Sequence, residues 1–128
     1  MKLLEVKDLV IRYITEDSVI EAVNGVSFDI EEGETMGLVG ETGAGKTTTC
    51  LGIMSLLSST TGEIASGEIL FRGEDLLKKQ ERELRRIRGA SISMIFQDPM
   101  TALNPVLTVG RQISEAIRIH QKCSKKEA

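Results

Sequence analysis

Apolar and charged residues interleave through residues 3–14, where Leu, Val and Ile alternate partly with Glu, Lys and Asp, and this predicts a strand. The polar stretch Thr15-Glu16-Asp17-Ser18 interrupts the pattern. Residues 19–30 resume it as one or two strands with a kink at Asn24-Gly25. Four linking residues are too few for a crossover helix, so the two runs predict an antiparallel hairpin. Glu31-Glu32-Gly33-Glu34 reads as a turn, and the short apolar run 35–39, ending at Gly40, reads as a buried strand. Residues 45 to about 57 predict a helix. Residues 58–67 are small and polar and read as a loop, and residues 68–71 as a brief strand. Residues 78–88 predict a charged helix stopped by Gly89. Ser-Ile-Ser-Met-Ile-Phe at 91–96 is a second buried-strand candidate, followed by a loop with two prolines over 97–105. The last helix is predicted over 109–122, with Val109, Ile113, Ala116 and Ile117 on one stripe. No internal repeat or low-complexity tract occurs. Strands and helices alternating after a hairpin predict an α/β architecture with a partly parallel sheet.

Composition adds bounds. The chain has 128 residues, 41% hydrophobic and 27% charged, the make-up of one modest globular domain. No apolar run approaches the length of a membrane-spanning helix. Charges at Lys2, Glu5, Lys7 and Asp8 occupy the place where a signal peptide needs an apolar core, so the chain reads as cytoplasmic. Cys50 and Cys123 lie far apart with no ligand spacing and read as two reduced thiols. The net charge of −3 conceals an asymmetry: residues 1–70 hold four basic and twelve acidic side chains, net −8, and residues 71–128 hold twelve and seven, net +5. The basic residues of 78–88 interleave with Glu81 and Glu83, the pattern of a solvated helix with local ion pairs. With three Phe and one Tyr in the chain, little is available for base stacking, and nucleic acid is not an expected partner.

The candidate chemistry lies in Gly40-Glu41-Thr42-Gly43-Ala44-Gly45-Lys46-Thr47, which fits the pattern G-x-x-x-x-G-K-[ST]. Binding a polyphosphate requires many donors converging on a small charged object. Gly40, Gly43 and Gly45 allow a bend that points main-chain amides inward. The helix that follows presents its N-terminal amides and positive dipole end. Lys46 adds a charge that can reach the outer phosphates, and the Thr47 hydroxyl is a hard oxygen suited to Mg²⁺. In a chain of this composition the pattern arises by chance in roughly one sequence in a hundred. Its position, after a short apolar run and before a helix, is what the mechanism requires.

Three stretches narrow the choice among phosphate-loop proteins. They are 3–9 (Leu-Leu-Glu-Val-Lys-Asp-Leu) with 22–28 (Ala-Val-Asn-Gly-Val-Ser-Phe), 33–47, and 96–110 beginning Phe-Gln-Asp-Pro-Met-Thr-Ala-Leu-Asn-Pro. Together they resemble the ATP-binding subunits of ABC transporters, specifically importers of dipeptides, oligopeptides and nickel, over essentially the whole chain. The resemblance implies the amino-terminal portion of a P-loop NTPase fold, truncated before the signature and the Mg²⁺-binding aspartate. The portion would comprise a hairpin region, an incomplete partly parallel sheet with the phosphate-loop helix, and the start of a helical subdomain. It implies ATP and Mg²⁺ as ligands, Tyr13 as the aromatic that stacks on adenine, and residues 40–48, ending at Thr48, as the phosphate loop. Gln97 would be the Gln-loop residue contacting Mg²⁺ and the attacking water. His120, the single histidine, is not the family's switch histidine, which comes much later. Implied partners are a second ATP-binding subunit, homologous or identical, membrane permease subunits through the Gln-loop region, and indirectly an extracytoplasmic binding protein. The implied place is the cytoplasmic face of the membrane.

The chain lacks an LSGGQ-like stretch and an apolar run ending in Asp-Glu. The full-length protein is therefore expected to be an ATPase, and this chain alone to hydrolyse negligibly, since phosphoryl transfer depends on those positioned groups. An open sheet edge predicts self-association, strand exchange or marginal stability. Two other readings remain: a non-catalytic nucleotide-binding or interaction module, and a different P-loop enzyme such as a small-molecule kinase.

Overall fold

The computed structural model describes residues 1–128, the side chain of Pro99 excepted. Residues Met1–Gln80 and Glu81–Ala128 form two units.

In the first unit, β1 (Lys2–Ile14) and β2 (Val19–Glu31) form the expected hairpin. The turn at Thr15–Ser18 is closed by Thr15, whose amide donates to the Ser18 carbonyl at 2.8 Å. β3 (Gly62–Phe71) pairs with the other edge of β1, and the two-residue β4 (Glu74–Asp75) with β3, giving the order β2-β1-β3-β4. β1 is thus the central strand, and it shows why strict alternation fails. Val6, Leu9 and Ile11 are its buried side chains, so the spacing slips from two to three after Val6. The extra residue is taken up by a bulge at Asp8, which adopts φ 45 and ties itself to β2: its amide donates to Ser27 Oγ at 2.8 Å. On the other side Gly67, at φ 105, passes so close that a Cβ would meet Leu9 Cα and Lys7 O at 2.7 Å. The bulge returns Leu9 and Ile11 to the core face.

The core consists of Val6, Leu9, Ile11, Val23, Met54, Ile69 and Leu76, all in this unit. Helix α1 (Lys46–Ile53) lies on it through Thr49 and Gly52. It is shorter than the predicted 45–57. Ser55 takes φ 52, its amide bonds to Gly52 O, and the Leu56 amide reaches back to Leu51 O at 2.9 Å. These paired bonds stop a helix whatever the downstream propensity. β3 begins six residues earlier than predicted, because Gly62–Gly67 pairs with β1 despite its small polar residues.

The second unit holds α2 (Glu81–Ile87) and α3 (Val109–Gln121). The helix predicted from residue 78 is split: Asp75 Oδ1 caps a separate 3-10 turn, Leu76–Lys78, and Lys79 is extended. Thr108 caps α3 through the Arg111 amide. Neither helix contains a buried residue.

The expectation of a partly parallel sheet is corrected. Every ladder among the described residues is antiparallel, apart from one isolated parallel bridge, Arg88–Ile92. Residues 35–39 and 91–96 form no strand. Both runs have the composition of buried parallel strands, but a strand exists only as one member of a ladder, and among the described residues neither run joins one, the bridge from Ile92 to Arg88 standing alone. Val39 and Ile95 are accordingly 94% and 98% exposed.

Candidate functional site

The phosphate loop leaves residue 39 and curls back onto β2 at Gly45, and its last residues, 46–48, form the first turn of α1. Gly45 is the pivot. It sits at the N-cap of α1 with φ 86 and ψ 10, and a Cβ there would collide with the Ala22 carbonyl oxygen of β2. Only glycine satisfies both the left-handed backbone and that approach. Behind it, buried Thr49 fastens the first turn, its amide and its hydroxyl each donating to Gly45 O at 2.8 Å. Within the loop, the Ala44 amide closes a turn onto Glu41 O at 3.0 Å.

The mouth of the loop favours negative charge. Helix α1 has no side-chain cap at its N-terminus and no acidic residue in its first turn, so its dipole is left uncompensated there. The Lys46 ammonium folds back over the loop and donates to Gly40 O and, at 2.8 Å, to Glu41 O. Two neutral carbonyl oxygens are thus holding a cation, an arrangement that an anionic oxygen would outcompete. Glu41, Thr42, Gly43, Ala44 and Thr47 are exposed, and Lys46 and Thr48 half-buried. Beside the loop opens a cavity of about 220 Å³ between β2 and residues 38–39, walled by Val23, Val26, Leu38, Val39 and Ala44 to Lys46.

Tyr13, near the end of β1, reaches the same rim, where its hydroxyl shares a 3.4 Å hydrogen bond with Thr48 Oγ1. The structure therefore brings Tyr13 together with residues 40–48. Gln97 belongs to the second unit, at an exposed bend. The loop after it is organised by side chains: Asp98 Oδ1 accepts from the Met100 amide at 2.9 Å, and Asn104 Oδ1 from the Val106 amide at 3.0 Å. Gln112 of α3 clamps the loop, accepting from the Asn104 amide at 2.8 Å and donating to Asn104 O and Leu107 O at 3.0 Å. Sequence reasoning missed that clamp, and also the fit of Tyr13 against Gly62 described below; both depend on register rather than on any local motif.

The donor set fits a nucleotide with Mg²⁺. Lys46 and the N-terminal end of α1 suit a polyphosphate, and the hydroxyl of exposed Thr47 is a hard oxygen. A larger groove of about 790 Å³ follows α3 past Arg111, Ser114 and Arg118, and is a solvated helix flank. Both cysteines are free thiols. Among the described residues no helix is long and apolar enough to cross a membrane.

The family model described as "ABC transporter" matches residues 23–128. The dipeptide transport ATP-binding protein DppD of Bacillus subtilis is 51% identical over 127 residues, which cover 99% of this chain and 38% of that protein. The oligopeptide transport ATP-binding protein OppD of the same organism is 48% identical over 127 residues, covering 99% and 36%. The chain thus spans well under half the length of these relatives. Among solved structures, the dimeric structure of a bacterial ABC transporter cassette matches with a TM-score of 0.80 and 24% identity. That match covers 94% of this chain and 49% of the cassette, and shows likeness of fold.

Proposed function

The chain belongs to the ABC transporter family, and from that premise we propose that it is the nucleotide-binding portion of an importer subunit whose cargo is a peptide or nickel. The observation that supports this most directly is the state of Lys46. Its charge is held by the carbonyls of Gly40 and Glu41 at the mouth of an uncapped helix. A triphosphate entering the loop would draw the ammonium off those oxygens into a charge-assisted bond, roughly twice as strong as a neutral one. Main-chain amides of the loop and of the first turn of α1 would surround the inner phosphates, as the family's motif does. Tyr13, at the rim, would stack on the base and contribute about 1–3 kcal/mol. Thr47 is proposed to hold Mg²⁺ by its hydroxyl oxygen, where the ion would neutralise charge on the outer phosphates; Gln97 is proposed as an Mg²⁺ ligand on its match to the family's Gln-loop alone.

In the whole protein, Lys46 and Gln97 would take part in ATP hydrolysis against a second ATP-binding subunit. The Gln97 loop would pass the resulting motion to permease subunits at the cytoplasmic face of the membrane, fed from outside by a binding protein. The names of DppD and OppD favour dipeptide or oligopeptide as cargo. The domain boundary proposed is a single one, residues 1–128 forming the first part of one ATPase domain. Because the 128 residues contain neither an LSGGQ-like stretch nor an apolar run ending in Asp-Glu, the chain by itself should bind without turning over.

Calorimetric titration with Mg-ATP tests the reading, with phosphate release followed in the same sample. Wild type should bind with negligible release, and Lys46→Ala should lose at least about tenfold in affinity, the scale of one charge-assisted bond to phosphate. Equal affinities would overturn the site.

A further inference from the structure

The Tyr13 ring is held from two directions. In the β1–β3 register it stands opposite Gly62, the first residue of β3. A Cβ at Gly62 would lie 3.3 Å from Tyr13 Cε1, 3.2 Å from Leu57 Cβ and 3.2 Å from Ser58 O. The ring edge therefore lies against bare backbone, so close that any side chain there would have to push it aside by a few tenths of an ångström. An aromatic covering a cross-strand glycine is a recognised way of fixing a ring on a sheet. The backbone at that point is braced, with the Gly62 amide donating to Ser58 O at 2.8 Å and the Ile14 amide to Thr61 O at 2.7 Å. At its far end the ring is tied by its hydroxyl to Thr48 Oγ1 at 3.4 Å. Thr48 is the third residue of α1, the helix that follows the phosphate loop.

We propose that Gly62 and Thr48 are positioning residues for Tyr13, setting the tilt of its ring over the phosphate loop and hence the preference for a nucleotide over a bare polyphosphate. The proposal rests on the nucleotide-binding reading above and adds to it a determinant on a strand with no part in the loop. Stacking depends on parallel approach at van der Waals distance, so a displacement of a few tenths of an ångström at the ring edge weakens it. Phosphate contacts come from residues 40–48 and do not involve Gly62. Loss of the glycine therefore separates the two halves of the ligand.

Tyr13 is the one tyrosine of the chain, which has no tryptophan, so tyrosine emission reports this ring alone. The test titrates the full chain with Mg-ATP and with inorganic tripolyphosphate, recording heat and emission. Gly62→Ala should weaken Mg-ATP about fivefold or more while leaving tripolyphosphate within about twofold, and should reduce the quenching of Tyr13 by ATP. Thr48→Val, measured without ligand, should leave the ring more open to quenching by acrylamide. This arm decides the matter should circular dichroism show that Gly62→Ala does not fold. A wild type that binds both ligands, with a Gly62→Ala variant keeping the same ratio of affinities, would overturn the positioning role and leave the nucleotide reading standing. A wild type that binds neither would remove both.

Discussion

At the scale of single residues, the two inner glycines of the phosphate loop separate two physical demands. Gly43 and Gly45 share φ 86, so either replaced by alanine accepts a left-handed backbone. That costs about 1–2 kcal/mol. They differ in surroundings: a Cβ at Gly43 would meet nothing within 4 Å, whereas one at Gly45 would strike the Ala22 carbonyl. Gly43→Ala should therefore cost about the backbone term alone, and Gly45→Ala clearly more, with the loop pushed off β2. Urea unfolding of both variants checks this; equal losses would mean that the loop does not press on the strand. The motif made residues 40–47 legible in the sequence, because spacing alone carries its chemistry. The neighbour that makes Gly45 obligatory was not legible, since Ala22 precedes it by more than twenty positions and meets it only through the fold. The same holds for Gly62, whose partner Tyr13 is assigned by a register that bulges shift twice along β1.

Among elements, the hairpin, the phosphate-loop helix and the last helix followed from periodicity and turn residues, which are local. What failed was each assignment that depends on a neighbour. Residues 35–39 and 91–96 have strand composition without a ladder, and Gly62–Gly67 has a ladder without strand composition. The break at residues 76–80 was missed for a different reason: it is made by one side chain. Asp75 Oδ1 accepts from the Leu77 amide at 3.0 Å, and its other oxygen pairs with Lys78 at 3.0 Å. Partial burial pushes the Asp75 pKa up, but bonds from Lys78 and the Leu77 amide outweigh it and hold it below its ordinary 3.8. A carboxyl lowered on folding adds stability that is complete above the unfolded value and is lost as pH falls through the folded one. The contribution should thus fade below about pH 4. Asp75→Asn keeps the cap and removes the charge, so between pH 7 and pH 3 it should lose less stability than wild type. Asp75→Ala, losing the cap as well, should be about 1 kcal/mol less stable at pH 7. Parallel pH profiles for wild type and Asp75→Asn, from urea melts at low ionic strength, would contradict the ion-pair account.

On the scale of the whole molecule, burial is distributed unevenly. Among the described residues, all seven buried apolar side chains belong to residues 1–80, while α2 and α3 bury none. Each unit also displays large apolar residues to solvent: Val39 at 94% in the first, and Ile95, Met100 and Val106 at 98, 85 and 83% in the second. The α3 stripe is similarly open, with Val109 and Ile113 more than half exposed. Scattered apolar exposure is ordinary, but exposed apolar runs of strand composition that belong to no ladder are the segments that template pairing with another chain. In isolation the 128-residue chain should therefore self-associate. Opposite charges offer a competing cause, since one half carries −8 and the other +5. Salt distinguishes the two: sodium chloride screens charge attraction, whereas sulfate strengthens apolar association. Light scattering should show a mass that rises with protein concentration, rises further in sulfate, and does not fall in moderate sodium chloride. Should the mass stay at one chain under all three conditions and calorimetry give a single sharp transition, the exposed runs would have to be satisfied within the monomer, and residues 35–39 and 91–96 would no longer stand as strands in want of neighbours.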